Sequence, residues 1–224
     1  MKAAAKPSTP LVIIGAGGHG VEVSAYATGM GVNLGGVFDD HRPPGPWQLT
    51  HILGGLVDLP EFCSSHENVV YMTALGDNAV RRRVVRAIAA LNIPNLTASS
   101  LIHPSAWLGP NVTIADGTLI APGAILTAQV RIGSHCIMNI QSSASHDCTV
   151  GDWCNINPSA TLCGNVTVGE GCYVGAGATV LEKRTIGAWT IIGAGAVVVE
   201  DLPSGVTAAG VPARIIKRQG VPHE

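Results

Sequence analysis

From Ile102 onward the chain is aliphatic at every sixth residue. The positions are Ile102, Leu108, Ile114, Ile120, Leu126, Ile132, Met138, Ala144, Val150, Ile156, Leu162, Val168, Val174, Val180, Ile186, Ile192 and Val198. All but two of these are Ile, Leu or Val, and no insertion breaks the register. The fifth place of each hexad is usually small, as at Ala106, Ala124, Cys136, Ser142, Cys148, Cys154, Ala160, Cys172, Ala178 and Ala196, and glycine recurs in the second place, as at Gly109, Gly133, Gly151, Gly169, Gly175, Gly187 and Gly193. A period of six is neither helical nor that of one long strand. It fits a coil of three short strands in which one aliphatic residue per hexad points inward and a glycine or polar residue permits the bend. Three hexads make a coil of eighteen residues, and coils stack in parallel at roughly 4.8 Å.

The rhythm before residue 97 is different. Leu11-Val-Ile-Ile14 reads as a buried strand, followed by Gly15-Ala-Gly-Gly-His-Gly20 and a helix to about Gly29. Leu34 to Phe38 and Val69 to Leu75 read as further strands, Asn78 to Leu91 as a helix carrying Arg81, Arg82, Arg83 and Arg86, and His41 to Leu53 as a Pro- and Gly-rich loop. Alternating strands and helices predict a small parallel sheet of Rossmann type. The expected organisation is therefore α/β plus β-solenoid: a flexible start over 1–10, a Rossmann-like domain over 11–96, the solenoid over 97–209 and a tail over 210–224.

Composition sharpens the picture. Charged residues are only 12% of the 224, against 46% hydrophobic, where an ordinary globular protein carries about 25% charge. So little charge leaves apolar surface to cover, and sister subunits are the expected cover. The net charge of −2 has no basic block behind it, which argues against a nucleic-acid partner. No run reaches the roughly 18 apolar residues of a membrane span, and Leu11–Ile14 is too short for a signal core; the expected location is the cytoplasm. The six cysteines contain no C-x-x-C pair. Cys136, Cys154 and Cys172 are eighteen apart and should stack as small packing residues in one interior column, with no metal implied.

Two segments carry candidate chemistry. Gly15-x-Gly17-x-x-Gly20, followed about twenty residues later by Asp39 and Asp40, matches a dinucleotide fingerprint whose glycines let the backbone approach a pyrophosphate at a helix N-terminus. Too few residues precede the repeats for a dehydrogenase; a sugar-bearing nucleoside diphosphate needs the same cradle without nicotinamide. In the repeats, His146 and Asp147 take the third and fourth places of a hexad, at an outward corner where an acid can orient an imidazole. Gly164 lies eighteen residues on, one coil above His146. A bare glycine there leaves room for a thioester and offers its N–H to the carbonyl oxygen. The expected reaction is direct attack of a sugar amine on acetyl-CoA, with His146 as general base, Asp147 holding the ring and Gly164 steadying the oxyanion.

Together, Gly15-x-Gly-Gly-His-Gly20, Phe38-Asp-Asp40, Gly76-Asp-Asn-x-x-Arg81, His146-Asp147 and Gly210-Val-Pro-Ala-Arg214 resemble the bacterial nucleotide-sugar 4-amino N-acetyltransferases of bacillosamine and perosamine type, relatives of the sialic acid O-acetyltransferases. The resemblance implies a left-handed β-helix, a homotrimer, acetyl-CoA between adjacent solenoids and a nucleotide-linked amino sugar on the N-terminal domain. It implies substrate contacts at Gly17, Gly18, His19, Gly20, Asp39, Asp40, Gly76, Arg81 and Asn139. Coenzyme contacts are implied at Asn155 (where a relative has histidine), Gly175, Gly193, Val211 and Pro212. Alternatives are a sialic acid-type O-acetyltransferase, a γ-type carbonic anhydrase with zinc on His135 and His146, and a non-catalytic trimer that binds nucleotide sugars.

Overall fold

The computed structural model describes residues 9–221. Two compact units are present: one runs through Gly76 and takes in Arg83–Ser99, the other combines Asp77–Arg82 with the chain from Ser100 on.

The first unit is a six-stranded sheet. Its elements are β1 (Leu11–Ile14), α1 (Gly18–Gly29), β2 (Leu34–Phe38), β3 (Gly45–Trp47), β4 (Thr50–Gly54), α2 (Leu59–Ser64), β5 (Val69–Thr73), the later turns of α3 (Asn78–Ala90) from Arg83 on and β6 (Leu96–Ala98). The strand order is β3-β4-β2-β1-β5-β6, parallel except for the β3–β4 hairpin. All four residues of β1 are buried, as a central strand covered on both faces requires. Both neighbours of β1 are parallel to it, so its carboxyl end opens at a topological switch point, where ligands of such sheets bind. The span 41–53, read as a loop, is corrected: most of it forms the β3–β4 hairpin. Its Pro- and Gly-rich composition hid an edge position, where a ladder tolerates proline.

The second unit is a parallel β-helix of two-residue strands. Face one runs from Leu101–Ile102 to Ile191–Ile192, face two from Trp107–Leu108 to Val197–Val198 and face three from Thr113–Ile114 to Thr185–Ile186. Each strand pairs in register with the one eighteen residues on, as Leu119↔Ile137 and Ser143↔Thr161 do. From Ile120 to Val198 the sixth-residue aliphatics fill the interior, while Ile102 and Leu108 of the first coil are exposed. Strands Val206–Ala209 and Arg214–Arg218 extend face one.

The bend is made elsewhere than the glycine pattern suggested. Fourth-place residues take the left-handed conformation, among them His135 (φ 54°), Asp147 (φ 62°), Trp153 (φ 64°) and Trp189 (φ 58°). The second-place glycines answer a different demand: a Cβ on Gly151 would lie 2.7 Å from the Glu170 nitrogen of the next coil. They permit close stacking, not a special φ.

Candidate active site

The corner between faces two and three is built by Ser143–Ala144 and the residues that follow. Asp147, in its left-handed conformation, turns its carboxylate back so that Oδ2 lies 2.8 Å from His146 Nδ1. That contact sets the tautomer: with Nδ1–H donating to the carboxylate, Nε2 keeps its lone pair for a proton. The His146 side chain is 60% exposed in the single chain. Nε2 faces the coil above, where a Cβ built on Gly164 would come within 2.5 Å of it. The two residues therefore share one edge of the prism on adjacent rungs, and only a residue without a side chain fits over this ring. The ladder engages the N–H of Cys163 (to the Val180 carbonyl) and of Asn165 (to the His146 carbonyl) and passes over that of Gly164.

In the first unit the glycine-rich turn joins β1 to α1. Gly15 has φ +110°, and a Cβ on Gly20 would collide with the Gly15 carbonyl oxygen, so both glycines are required by the turn. Gly17 and Gly18 are exposed and face open space, which leaves the first turn of α1 accessible to a ligand. His19 Nδ1 lies 3.0 Å from Glu22 Oε2, and its buried Nε2 has no partner. Asp39 accepts from the Ala16 N–H (2.7 Å) through Oδ2 and from the His41 N–H (2.9 Å) through Oδ1; Asp40 Oδ1 accepts from the Leu56 N–H (2.7 Å). The acid pair thus holds the glycine turn and the following loop in shape. Gly76 is exposed just before α3.

Two expected contacts are corrected. Arg81 was placed among the substrate residues, but it is 1% exposed, and its guanidinium donates to the His135 and Trp153 carbonyls and to Asn155 Oδ1. Burial pulls its pKa down to about 10. Asn155, expected at the coenzyme, is 3% exposed on face one beneath that guanidinium. Neither has a side chain open to a ligand. The remaining residues sit on other edges of the solenoid. Asn139, Gly175 and Gly193 are at the corner between faces one and two, where Cβ atoms on either glycine would strike the next coil, and Val211 and Pro212 are exposed beyond the last coil. Within one chain the structure brings His146, Asp147 and Gly164 together and leaves the expected coenzyme residues a corner or more away.

His135 does not join His146. It lies at the corner between faces three and one, stacked on Trp153 with ring centroids 4.7 Å apart. Among the described residues no group of His, Cys, Asp and Glu is arranged to hold a metal ion. The cysteine column is where the spacing put it, with one addition: the Cys136, Cys154 and Cys172 thiols donate to the Gly151, Gly169 and Gly187 carbonyls at 3.0–3.1 Å. Sequence reasoning missed Asn78, Arg82 and Trp189. Asn78 lies inside the Gly76-Asp-Asn-x-x-Arg81 motif, read for its glycine and arginine; Arg82 and Trp189 lie outside it.

Residues 10–88 match the family model described as the PglD N-terminal domain, and residues 92–194 match the GMPPB C-terminal domain. The structure is similar to perosamine N-acetyltransferase from Caulobacter crescentus, solved as a histidine-to-asparagine mutant with CoA and GDP-perosamine: TM-score 0.87, 34% identity, 95% of this chain and 98% of that one. It is also similar to the acetyltransferase domain of PglB from Neisseria gonorrhoeae (TM-score 0.82, 32% identity, 93% and 100% covered) and to WeeI from Acinetobacter baumannii (TM-score 0.83, 26% identity, 93% and 100% covered). A curated relative, the uncharacterized protein L142 of Acanthamoeba polyphaga mimivirus, is 27% identical over 126 residues; the match spans 56% of this chain and 24% of that protein. The Rossmann-like sheet followed by a left-handed parallel β-helix is the architecture these enzymes share with this chain.

Proposed function

The chain belongs to the CoA-dependent nucleotide-sugar N-acetyltransferases of perosamine and bacillosamine type, and we propose that it moves the acetyl group of acetyl-CoA onto the 4-amino group of a nucleotide-linked sugar. One observation carries the reading: an imidazole fixed by Asp147, with its free nitrogen under a bare Gly164 at an exposed corner. The sugar amine attacks the thioester carbon while His146 Nε2 takes its proton. The carbonyl oxygen gains charge and is met by the Gly164 N–H, a donor type worth roughly 3–4 kcal/mol in the transition state. Collapse breaks the C–S bond, and the imidazolium returns the proton to the departing thiolate. No covalent enzyme intermediate is needed, since amine and thioester meet directly.

The glycine turn at the head of α1 holds the nucleotide diphosphate, with Gly17, Gly18, His19 and Gly20 nearest to it and Gly76 at the neighbouring strand end. Asp39 and Asp40 shape that turn, and Asn139 serves the sugar. Gly175, Gly193, Val211 and Pro212 border the coenzyme path, which a neighbouring solenoid of a homotrimer completes. The proposed location of the reaction is the cytoplasm. Among the described residues no helix is long and apolar enough to cross a membrane.

The test is thiol release from acetyl-CoA over a panel of GDP-, UDP- and dTDP-linked 4-amino sugars, led by GDP-perosamine because the Caulobacter relative was crystallised with it. Turnover of one of these is expected, and His146→Ala should lower it roughly 10²–10⁴-fold. Undiminished turnover in that variant rejects the assigned base; silence of the wild type across the panel rejects the reaction.

A further inference from the structure

The corner that carries His146 holds a side chain that the chemistry above does not use. Cys163 stands directly before Gly164, in the second place of its hexad. Leu162 before it points into the interior and is fully buried, so alternation turns the Cys163 side chain outward. Among the described residues the other five thiols are buried, and this one alone keeps open surface. The coils around it fix its place. The Cys163 N–H donates to the Val180 carbonyl (3.0 Å), and the Cys163 carbonyl accepts from the Cys148 thiol (3.0 Å). Leu181 follows eighteen residues on in the same outward column, its own N–H held by the Val198 carbonyl (3.0 Å). Stacked coils lie roughly 4.8 Å apart. The two side chains, both partly exposed, therefore make one short apolar wall on the rungs above the base.

Covalent geometry ties that wall to the free N–H of Gly164. In a planar trans peptide the N–H lies on the same side as the preceding Cα. An oxygen that accepts from the Gly164 nitrogen at roughly 2.9 Å thus sits beside the Cα of Cys163. The carbonyl carbon under that oxygen carries two more groups, the sulfur and the acyl chain. On the other flank of Gly164 stands Asn165, exposed and left-handed (φ 60°). An apolar acyl chain gains by lying against the thiol and Leu181 and gains nothing against an amide in water. The thiol is no rival to the direct attack. Burial, and after it the Glu182 carboxylate, push its pKa up, so it stays protonated at neutral pH and is a poor nucleophile. We infer that Cys163 and Leu181 form the wall that receives the acyl chain of the thioester, and that Cys163 sets the length of chain that fits. The inference rests on the acetyltransferase reading above and adds its acyl selectivity.

The experiment compares acetyl-, propionyl- and butyryl-CoA with the nucleotide sugar that wild type turns over. One methylene in an apolar pocket is worth about 10–200-fold in kcat/KM. Cys163→Ala removes the sulfur from an outward place and should raise the propionyl-to-acetyl ratio of kcat/KM about tenfold or more. Cys163→Val fills the same space and should lower kcat/KM for acetyl-CoA about tenfold or more, with the KM for the sugar within about twofold of wild type. Alkylation supplies a readout independent of turnover. Iodoacetamide should label Cys163 ahead of the five buried thiols, by peptide mass spectrometry, and acetyl-CoA at ten times its Kd should slow that labelling about tenfold with no sugar present. An unchanged propionyl-to-acetyl ratio in Cys163→Ala, or labelling indifferent to acetyl-CoA, would overturn the wall while leaving the transfer reaction standing. If wild type turns over no sugar, the acetyltransferase reading fails, and labelling alone decides whether an acyl thioester lies against Cys163.

Discussion

The distance from Gly164 to the imidazole below it governs the proposed catalysis. Gly164 does not need a left-handed φ, so alanine there is tolerated by the backbone, yet its Cβ would lie 2.5 Å from Nε2. The ring must swing aside, which breaks its alignment to Asp147 and to the attacking amine. Misplacement of about 1 Å costs on the order of 10²-fold in rate. Gly164→Ala should therefore lose activity on that scale with an unchanged unfolding midpoint, because the corner points outward. Steady-state turnover beside a urea titration checks both halves. The cysteine column shows the reverse case, residues chosen for the interior: each thiol fills a small place and also satisfies a second-place carbonyl that the ladder leaves open.

At the scale of elements, the six-residue beat was legible because one inward residue per strand leaves an unbroken aliphatic mark, and a fixed register then placed Gly164 over His146. The β1–glycine–α1 unit was equally plain. The β3–β4 hairpin was not, since a short edge ladder leaves no alternation for proline and glycine to interrupt. Nor was the burial of Arg81 and Asn155, because a motif spacing gives neighbours along the chain and not the carbonyls waiting on a distant corner. That same corner holds His135, buried beneath Trp153 and beside the Arg81 charge, which together lower its pKa to about 4. An unfolded histidine titrates near 6.5. Between those values the unfolded chain binds a proton that the native chain does not, so stability falls as pH drops from about 6.5 toward 4 and is untouched by this group above 6.5. His135→Phe keeps a ring to stack and removes the proton site. Its unfolding free energy should fall less steeply across that window than wild type, by urea titration at several pH values; parallel slopes would mean that His135 charges freely in the fold.

For the molecule as a whole, the 12% of charged residues and the apolar surface of the solenoid have to be considered together. Trp107 and Ile125 stand outward on face two with 55% and 43% of their surface exposed, one coil apart on the side that leads into the His146 corner. A general base in open water is a weak one, for water competes for the proton and weakens every nearby dipole. A second solenoid against this side would cover the apolar pair and close the imidazole into a cleft at once. A closed ring of three copies leaves no edge to propagate. Sedimentation equilibrium should then give about three times 22.9 kDa. Ile125→Glu, which puts a charge into that contact, should shift the mass toward a single chain and lower turnover along with it, though His146, Asp147 and Gly164 remain on their own rungs. Full activity in a species of 22.9 kDa would show that one solenoid edge suffices, and that the apolar face serves some other contact.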